Sequence, residues 1–215
     1  MKKEEHFVNI KIKSLPLGIL GTNCYIIHND HEALIFDPGG DEDQLIKFLN
    51  DNKLNPIAIL LTHAHFDHIG AVEPIRNEYG IKVYMHSLEK DWLTNPDLNG
   101  SSRYPFGPIS TKNPPDSLVE EGTFIIGDFT FDIYHTPGHS PGSVSYYFAN
   151  EDILIAGDTL FQSSIGRTDL PFGNHDQLIS SIKNKIFSLP NHTNVYPGHG
   201  PSTTIEFEKQ YNPFL

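Results

Sequence analysis

The sequence predicts an α+β protein of four layers, in which two packed β-sheets carry helices on their outer faces. The predicted strands come in two batches, and each batch is followed by helical segments. A sheet buries its apolar face against another layer, so this order favours two sheets packed together with helices outside. The chain has 215 residues, 38% of them apolar, which suits a single domain over residues 1–215 with a sizeable core.

The first half of the chain supplies the first predicted sheet and its helices. Residues 57–61 form a short continuous apolar run, which is typical of a buried strand. A helix over 44–49 has Asp41 as its N-cap, and a helix over 69–79 is closed by Gly80. The Asp-Pro-Gly-Gly segment at 37–40 predicts a turn. The other elements predicted here are strands at 7–12, 23–28, 33–36 and 82–85 and a short helix at 88–93.

The second half supplies the second predicted sheet. Strands are predicted at 123–126, 129–135, 144–148, 153–156 and 194–196, and helices at 175–187 and 204–210. Between the two batches, residues 95–116 contain five prolines and no periodic pattern, so they predict a long loop. This loop also carries Tyr104 and Phe106, which favours an ordered loop over a linker.

Composition and charge exclude several classes of function. The formal net charge is −12 with histidine neutral, which argues against nucleic-acid binding and against docking on anionic lipid. The single cysteine, Cys24, excludes an internal disulfide and a Cys-rich zinc site, and we expect it in the core. The N-terminal lysines are followed by Glu4 and Glu5 with no apolar segment after them, so we expect a cytoplasmic protein.

The twelve histidines are the unusual feature of the composition, and several are clustered. The cluster lies directly after the predicted buried strand and before a helix, in the segment Thr62-His63-Ala64-His65-Phe66-Asp67-His68. Alternation along an extended chain would send His63, His65 and Asp67 to one side, with His68 starting the turn into the helix. Neutral imidazoles packed this closely have unused lone pairs, and a divalent cation would satisfy them.

Three further segments end a strand with a glycine-flanked His or Asp. They are His135 to Gly142 with His139, Ile155 to Leu160 with Asp158, and Tyr196 to Pro201 with His199. Together with the first cluster they give five histidines and two aspartates, and seven ligands suit two metal ions better than one. Asp158 is the candidate bridge, since a carboxylate has two oxygens whereas an imidazole has one acceptor nitrogen.

These motifs resemble the metallo-β-lactamase superfamily, whose His-x-His-x-Asp-His motif matches residues 63–68. The resemblance runs from about Gly21 to the C-terminus and implies the αβ/βα fold. Within the superfamily the chain is similar to the short bacterial glyoxalase II-like branch, the hydroxyacylglutathione hydrolases. The resemblance implies two divalent metal ions, with zinc as the default and iron or manganese as alternatives. It places His63, His65 and His139 on one ion, Asp67, His68 and His199 on the other, and Asp158 between them.

The reaction implied by this resemblance is hydrolysis of a small-molecule thioester, such as S-lactoylglutathione or the ester of a related thiol. A metal-bridging hydroxide would attack the acyl carbon, with Asp67 and Asp158 as catalytic residues. The thiolate leaving group needs little protonation, because thiols have a pKa of about 8.5. No side-chain nucleophile is required.

Other branches of the superfamily are less similar. The lactam-hydrolysing branch usually replaces the residue at the His68 position or supplies a ligand cysteine near Asp158. The diiron oxygen-reducing branch has Glu in place of His65, and the nuclease branch needs a basic surface. The main alternative is a mononuclear-iron persulfide dioxygenase, which shares a stretch like Gly166-Arg167-Thr168-Asp169. A non-catalytic metal-binding protein is the alternative of another class.

Candidate substrate-binding residues lie outside the metal motifs. Arg103, Tyr104 and Phe106, in the 95–116 loop, are expected to form a pocket wall or a lid, and Arg167 to meet a substrate carboxylate. Longer glyoxalase II enzymes bind glutathione with a C-terminal helical domain, but this sequence ends soon after His199. A low-molecular-weight thiol other than glutathione therefore stays open as the carrier.

Overall fold

Two six-stranded sheets lie face to face in the computed structural model, which describes residues 10–215. The strands of the first sheet are hydrogen-bonded in chain order. They are β1 (Lys11–Leu17), β2 (Thr22–His28), β3 (Glu32–Phe36), β4 (Asn55–Leu60), β5 (Lys82–His86) and β6 (Ser117–Val119). The first two pairings are antiparallel and the next three are parallel, so the C-terminal ends of β3, β4 and β5 share one edge of the sheet.

The second sheet contains the remaining long strands, in the order β14-β13-β10-β9-β8-β7. Its strands are β7 (Gly122–Ile126), β8 (Phe129–His135), β9 (Val144–Phe148), β10 (Ile153–Gly157), β13 (Asn194–Pro197) and β14 (Thr203–Thr204). Only β10 and β13 pair in parallel, so both end at the same edge. A small hairpin, β11 (Leu160–Phe161) and β12 (Ser164–Ile165), follows β10.

Five helices and three short 3₁₀ turns complete the described chain. The helices are α1 (Glu42–Asp51), α2 (Phe66–Ile69), α3 (Val72–Tyr79), α4 (His175–Asn184) and α5 (Ile205–Tyr211). The 3₁₀ turns span Ser87–Glu89, Ser101–Arg103 and Ile186–Ser188. None of the described helices combines the length and the apolar character that crossing a membrane requires.

Three apolar clusters separate the four layers. Side chains alternate between the two faces of a strand, so one sheet contributes to two clusters. In β2, Cys24 and Ile26 face the helices, whereas Tyr25 and Ile27 face the other sheet. Residues of α1 and α3 pack on the outer face of the first sheet, and Leu178 of α4 packs on that of the second. Each fully buried large apolar side chain stabilises the fold by about 1.5–3 kcal/mol. The predicted four-layer arrangement and the buried position of Cys24 are confirmed.

Several predicted elements differ from the structure. The helix expected over 69–79 is two helices, because the 37–40 turn packs into the break. A Cβ on Gly70 would lie 2.3 Å from the Gly39 carbonyl oxygen, and Ala71 N donates to Pro38 O at 2.8 Å. No α-helix forms over 88–93, where only the Ser87–Glu89 turn is found, and the helix expected to reach residue 187 ends at Asn184.

The start of the first helix and the end of the first strand also differ from the prediction. Asp41 lies at the start of α1 in the left-handed conformation, with φ of 49°, and its side chain caps no helix N–H. Its carboxylate instead accepts a hydrogen bond from Gly18 N at 2.8 Å, which joins α1 to the β1–β2 turn. The first strand continues to Leu17, beyond its predicted end at residue 12, and residues 7–9 of that prediction lie outside the described part of the chain.

Candidate metal centre

The seven predicted ligand residues lie together where the strands of both sheets end. His63 and His65 follow β4, and Asp67 and His68 lie on α2. The remaining three follow strands of the second sheet: His139 after β8, Asp158 after β10 and His199 after β13. In three groups the ligand atoms lie within 4.8 Å of one another: His63/His65/His139, His63/His68/Asp158 and Asp67/His68/His199.

Asp158 stands between the first and the last of these groups. Its Oδ2 lies 3.6 Å from Nε2 of His139 and 3.7 Å from Nε2 of His199, and its Oδ1 lies 3.5 Å from Nε2 of His68. The carboxylate therefore faces histidines of both groups with its two oxygens. This is the position that a bridging ligand would need.

The route by which Asp67 reaches the cluster differs from the prediction. The extended chain ends at His65, and α2 begins at Phe66, so Asp67 lies in the first turn of a helix rather than in an alternating strand. Its carboxylate still faces the cluster, where Oδ2 lies 3.1 Å from Nε2 of His199 and accepts a hydrogen bond from Thr22 Oγ1 at 3.0 Å.

Hydrogen bonds on the outer side of the cluster fix the orientation of three of its five histidine rings. Thr62 Oγ1 donates to Asp37 Oδ2 at 2.6 Å, so it can only accept from Nδ1 of His63, 3.1 Å away. Nδ1 of His68 lies 3.0 Å from the same Asp37 oxygen, and Nδ1 of His139 lies 2.8 Å from the Arg167 carbonyl oxygen. With Nδ1 engaged on the outer side in these three rings, the Nε2 atom of each is directed into the cluster.

The inward-facing atoms fit divalent metal ions. Nε2 of His63, Nε2 of His68 and Oδ1 of Asp158 are buried and have no hydrogen-bond partner among the described residues. Buried polar atoms normally have a partner, so three unsatisfied atoms in one cluster fit a bound cation as their common partner. Imidazole and carboxylate donors suit zinc, iron and manganese alike.

The cluster is electrostatically divided into two halves. Burial and the neighbouring histidines lower the pKa of His63, and burial followed by the charge of His139 lowers the pKa of His65 to about 3. Burial acts in the same direction on His68, but the carboxylates of Asp67, Asp158 and Asp37 outweigh it and raise its pKa. The first half is thus a set of neutral imidazoles, and the second half carries the carboxylates.

Two buried carboxylates that sequence reasoning missed hold the ligand loops. Glu89 is fully buried, and it accepts hydrogen bonds from Ala64 N, from Gly142 N and from the Ser140 hydroxyl. It thereby joins the loop of His63 and His65 to the loop of His139. Asp37 plays a similar part for His68 and Thr62. Asp37 ends a strand before Pro-Gly-Gly, which was a usable signal, whereas nothing in the sequence around Glu89 distinguished it.

A cavity of about 410 Å³ opens from the metal cluster. Arg103, Tyr104 and Arg167, three of the four residues predicted to bind substrate, line it. Phe106 is not among the lining residues, but its ring stacks on Tyr104 with centroids 5.3 Å apart. Both rings also contact Phe66, so the 95–116 loop forms an aromatic wall next to α2.

Curated relatives match almost the whole chain, as two examples show. The probable metallo-hydrolase YqgX of Bacillus subtilis (strain 168) is 47% identical over 207 residues, which cover 96% of this chain and 98% of the relative. The hydroxyacylglutathione hydrolase GloC of Haemophilus influenzae is 35% identical over 208 residues, with coverage of 96% and 98%.

Solved structures share the fold. The BLEG-1 B3 metallo-beta-lactamase is 56% identical with a TM-score of 0.93, and the match covers 95% of this chain and 99% of that chain. TTHA1623, crystallised in a di-iron-bound form, is 37% identical with a TM-score of 0.85 and coverage of 94% and 100%. ETHE1 from Myxococcus xanthus is 27% identical with a TM-score of 0.75 and coverage of 94% and 83%.

The sequence profile of the metallo-beta-lactamase superfamily matches residues 17–199, which include all seven residues of the cluster. The fold, the His/Asp cluster and the full-length relatives agree with that match. The chain therefore belongs to the metallo-β-lactamase superfamily and is one of its metallo-hydrolases.

Proposed function

We propose that this metallo-hydrolase is a thioesterase of the glyoxalase II type, which hydrolyses the thioester of a small hydroxy acid and a low-molecular-weight thiol. The observation that carries the proposal is the pair of ligand groups with Asp158 between them, at the base of a cavity of about 410 Å³. A substrate entering the cavity brings its carbonyl carbon to a site with room for two cations.

The ligand residues divide into two sets in this proposal. His63, His65 and His139 would hold one ion, Asp67, His68 and His199 would hold the other, and Asp158 would be shared between them; zinc is the proposed metal. When bound, the ions would supply an activated water with a pKa near 7 and would polarise the substrate carbonyl.

The chain's own residues position the reaction. Asp67 accepts from Thr22 at 3.0 Å and lies 3.1 Å from His199, so its carboxylate has a fixed direction from which to orient the attacking water. Phe66 and Tyr104 cover the cavity wall next to it and exclude bulk water from one side. The leaving thiolate needs no protein acid, because a thiol with a pKa of about 8.5 is a good leaving group near neutrality.

Similarity to two relatives supports two other candidate reactions. BLEG-1, at 56% identity, is described as a B3 metallo-beta-lactamase, so β-lactam hydrolysis is the second candidate even though the ligand pattern disfavoured it. ETHE1 supports a persulfide dioxygenase less strongly, at 27% identity, and the complete second ligand group argues against a single iron. GloC supports the thioesterase over nearly the full length of the chain.

The test is a comparison of three reactions on one metal-free preparation that is divided and loaded with zinc or with iron. We expect thiol release from S-lactoylglutathione or from the lactoyl thioester of N-acetylcysteamine, and we expect His63→Ala to abolish it. The measurements are thiol release with an aromatic disulfide, ring opening of a chromogenic cephalosporin, and oxygen uptake with glutathione persulfide on zinc-loaded and iron-loaded protein.

Each alternative has its own result. Cephalosporin opening without thiol release would replace the thioesterase by the lactamase. Oxygen uptake by the iron-loaded protein without thiol release would replace it by the dioxygenase. A fully loaded protein that carries out none of the three reactions would favour the non-catalytic metal-binding protein.

A further inference from the structure

Of the two arginines that line the cavity, one is paired with a carboxylate and the other is not. Apart from histidines, Arg103 and Arg167 carry the only formal positive charges among the described residues that line the cavity. Arg167 forms a bidentate pair with Asp169, with Nε–Oδ1 and Nη2–Oδ2 distances of 2.7 Å each. Arg103 has no carboxylate within 4.0 Å among the described residues. The arginine expected from the sequence to meet a substrate carboxylate is therefore already occupied, and the other one is available.

Arg103 stands on a fixed platform rather than on a loose loop tip. The platform consists of Asn99 and Ser101, both fully buried. The amide nitrogen of Asn99 donates to Trp92 O at 3.1 Å and to Ile109 O at 2.9 Å. The Ser101 hydroxyl exchanges two hydrogen bonds with the backbone of Ile109, at 3.0 and 3.1 Å. These bonds close the loop below the 3₁₀ turn that carries Arg103.

The same platform is joined to the metal centre. Phe66 N donates to Asn99 O at 3.1 Å, and Phe66 lies between His65 and Asp67 in the chain. The distance between Arg103 and the ligand cluster is thus set by a short, hydrogen-bonded path. A receptor group for one end of a substrate needs such a fixed position relative to the reacting centre.

The surroundings of Arg103 suit a carboxylate. Apolar side chains, among them Phe66, Tyr104, Phe161, Ile165 and Leu170, make up much of the cavity lining. Apolar walls lower the local dielectric, so an ion pair at their edge is stronger than one in open water. A guanidinium group presents a planar fork that matches a carboxylate in bidentate geometry. The net charge of −12 gives no long-range attraction for anions, so recognition of an acidic substrate has to be local.

We propose that Arg103 is a specificity-determining residue that binds a carboxylate of the substrate, so that the enzyme prefers acidic thioesters over neutral ones of the same size. The proposal rests on the proposed thioester hydrolysis for the nature of the substrate. It goes further by stating which arginine is the receptor and which charge the substrate carries. Arg167 remains paired with Asp169 and contributes little to the preference.

The experiment uses two matched pairs of thioesters, because the carboxylate could lie in either half of the substrate. The first pair is the acetyl thioester of mercaptopropionate and that of mercaptopropionamide. The second is the succinyl and the succinamoyl thioester of N-acetylcysteamine. We expect the wild type to prefer the acidic member of at least one pair by about three- to fivefold in kcat/KM, the scale of a bidentate guanidinium–carboxylate pair at an exposed arginine.

Three variants locate the preference. Arg103→Gln should reduce the ratio to near unity, with most of the change in KM for the acidic substrate. Lys112→Gln is the matched control, because it removes one positive charge from an exposed side chain of the same loop that does not line the cavity. Arg167→Gln is the discriminating comparison. Loss of the preference in Arg167→Gln or Lys112→Gln, and not in Arg103→Gln, would overturn the assignment.

A binding measurement separates this proposal from the proposed reaction. The thioether analogues of the four esters cannot be hydrolysed, and Trp92, the only tryptophan, has its ring 5.6 Å from that of His65. Trp92 fluorescence should report tighter binding of an acidic thioether to the wild type and not to Arg103→Gln. If that difference appears without any thioester turnover, the thioesterase fails and the Arg103 receptor stands. Equal binding of acidic and neutral thioethers to the wild type would refute the receptor whether or not thioesters are cleaved.

Discussion

Asp158 is the residue on which the proposed two-ion arrangement depends. Its Oδ2 faces Nε2 of His139 in the first ligand group and Nε2 of His199 in the last, and its Oδ1 faces Nε2 of His68. Asp158→Asn keeps the size of the side chain but removes its charge and one of its two acceptor oxygens. We expect bound metal, measured by elemental analysis, to fall from two ions per chain toward one, and thioester hydrolysis to fall more than about a hundredfold.

The fold should survive this substitution, since Asp158 lies in the turn after β10 and not in one of the apolar clusters. Circular dichroism and a cooperative melting curve are the controls. An Asp158→Asn protein that still binds two ions and retains full activity would contradict the bridging role.

Glu89 is a positioning residue on the outer side of the same centre. Glu89→Ala leaves Ala64 N and Gly142 N without their acceptor in a fully buried place. We expect the free energy of unfolding to fall by about 2–4 kcal/mol, because each buried unsatisfied donor costs about 1–3 kcal/mol. We also expect metal affinity to fall about 10- to 100-fold, as when other groups that orient ligands are removed.

The control for this prediction is Glu78→Ala, which removes an exposed carboxylate from α3. Urea unfolding and a metal competition titration give the two measurements. If Glu89→Ala binds metal as tightly as Glu78→Ala does, Glu89 supports the fold alone and not the ligand geometry.

His86 gives the fold a pH dependence outside the metal centre. Its ring stacks on that of His135 with centroids 4.2 Å apart, and burial followed by the charge of His135 lowers its pKa, against the nearby Glu120 carboxylate. A base whose pKa is lower in the folded state binds its proton more tightly when unfolded. Its contribution to stability is therefore complete above the ordinary histidine pKa and is lost as the pH falls toward the folded-state value.

The expected result is a smaller pH dependence in His86→Asn, whose side-chain oxygen can still accept from Leu88 N as Nδ1 of His86 does. Urea unfolding of the metal-loaded wild type and variant, at about pH 7.5 and about pH 5.5, measures it. His192→Asn, an exposed histidine elsewhere, is the control. Equal losses of stability in the wild type and His86→Asn would contradict the prediction.

At the scale of the elements, the ends of β10 and β4 approach each other so closely that a side chain cannot fit between them. Gly157, with φ of 50°, would place a Cβ 2.4 Å from Oγ1 and 2.6 Å from Cβ of Thr62. The Thr62 hydroxyl in turn is hydrogen-bonded to Asp37 Oδ2 and to Nδ1 of His63. Contact between the two sheets at this point brings Asp158 to the ligands that follow β4.

Gly157→Ala tests this approach against a matched position. Gly80, at the end of α3, has φ of 65° and open space around its Cβ position, so Gly80→Ala measures backbone strain alone, about 1–2 kcal/mol. We expect Gly157→Ala to cost about 1–3 kcal/mol more, from overpacking, and to reduce metal affinity. Thermal and urea unfolding of both variants give the difference, and equal costs would show that the two strand ends can separate freely.

At the scale of the whole molecule, the metal centre joins the two sheets. The candidate ligands come from the ends of β4, β8, β10 and β13 and from α2, so an ion bound in the folded state binds segments that are far apart in the unfolded chain. Removing the metal with a chelator should lower the Tm. Restoring zinc to about a hundred times its Kd should add about 2.7 kcal/mol of stability per site.

The melting curve of chelator-treated protein, before and after zinc is added back, is the measurement. Calcium, which prefers more oxygen ligands than this centre offers, is the control ion. A Tm that zinc does not change would mean that no ion binds preferentially to the folded chain.

The sequence determined the set of candidate ligands because each of these residues is marked locally. His63 to His68 are adjacent in the chain, and His139, Asp158 and His199 each end a strand beside glycine. Local patterns of apolar residues likewise predicted the two sheets. Such patterns failed where a distant segment packs against an element, as where the 37–40 turn splits the helix expected over 69–79.

Only the tertiary structure decided the contacts between distant segments. These include the Asp37 bonds that fix two imidazole rings, the buried Glu89 between two ligand loops, and the pairing that occupies Arg167 but leaves Arg103 available. Residue type and spacing carry the chemistry of a ligand, because a histidine or aspartate binds metal wherever it is presented. Protonation, orientation and charge balance depend on neighbours brought together by packing, and no local pattern records those.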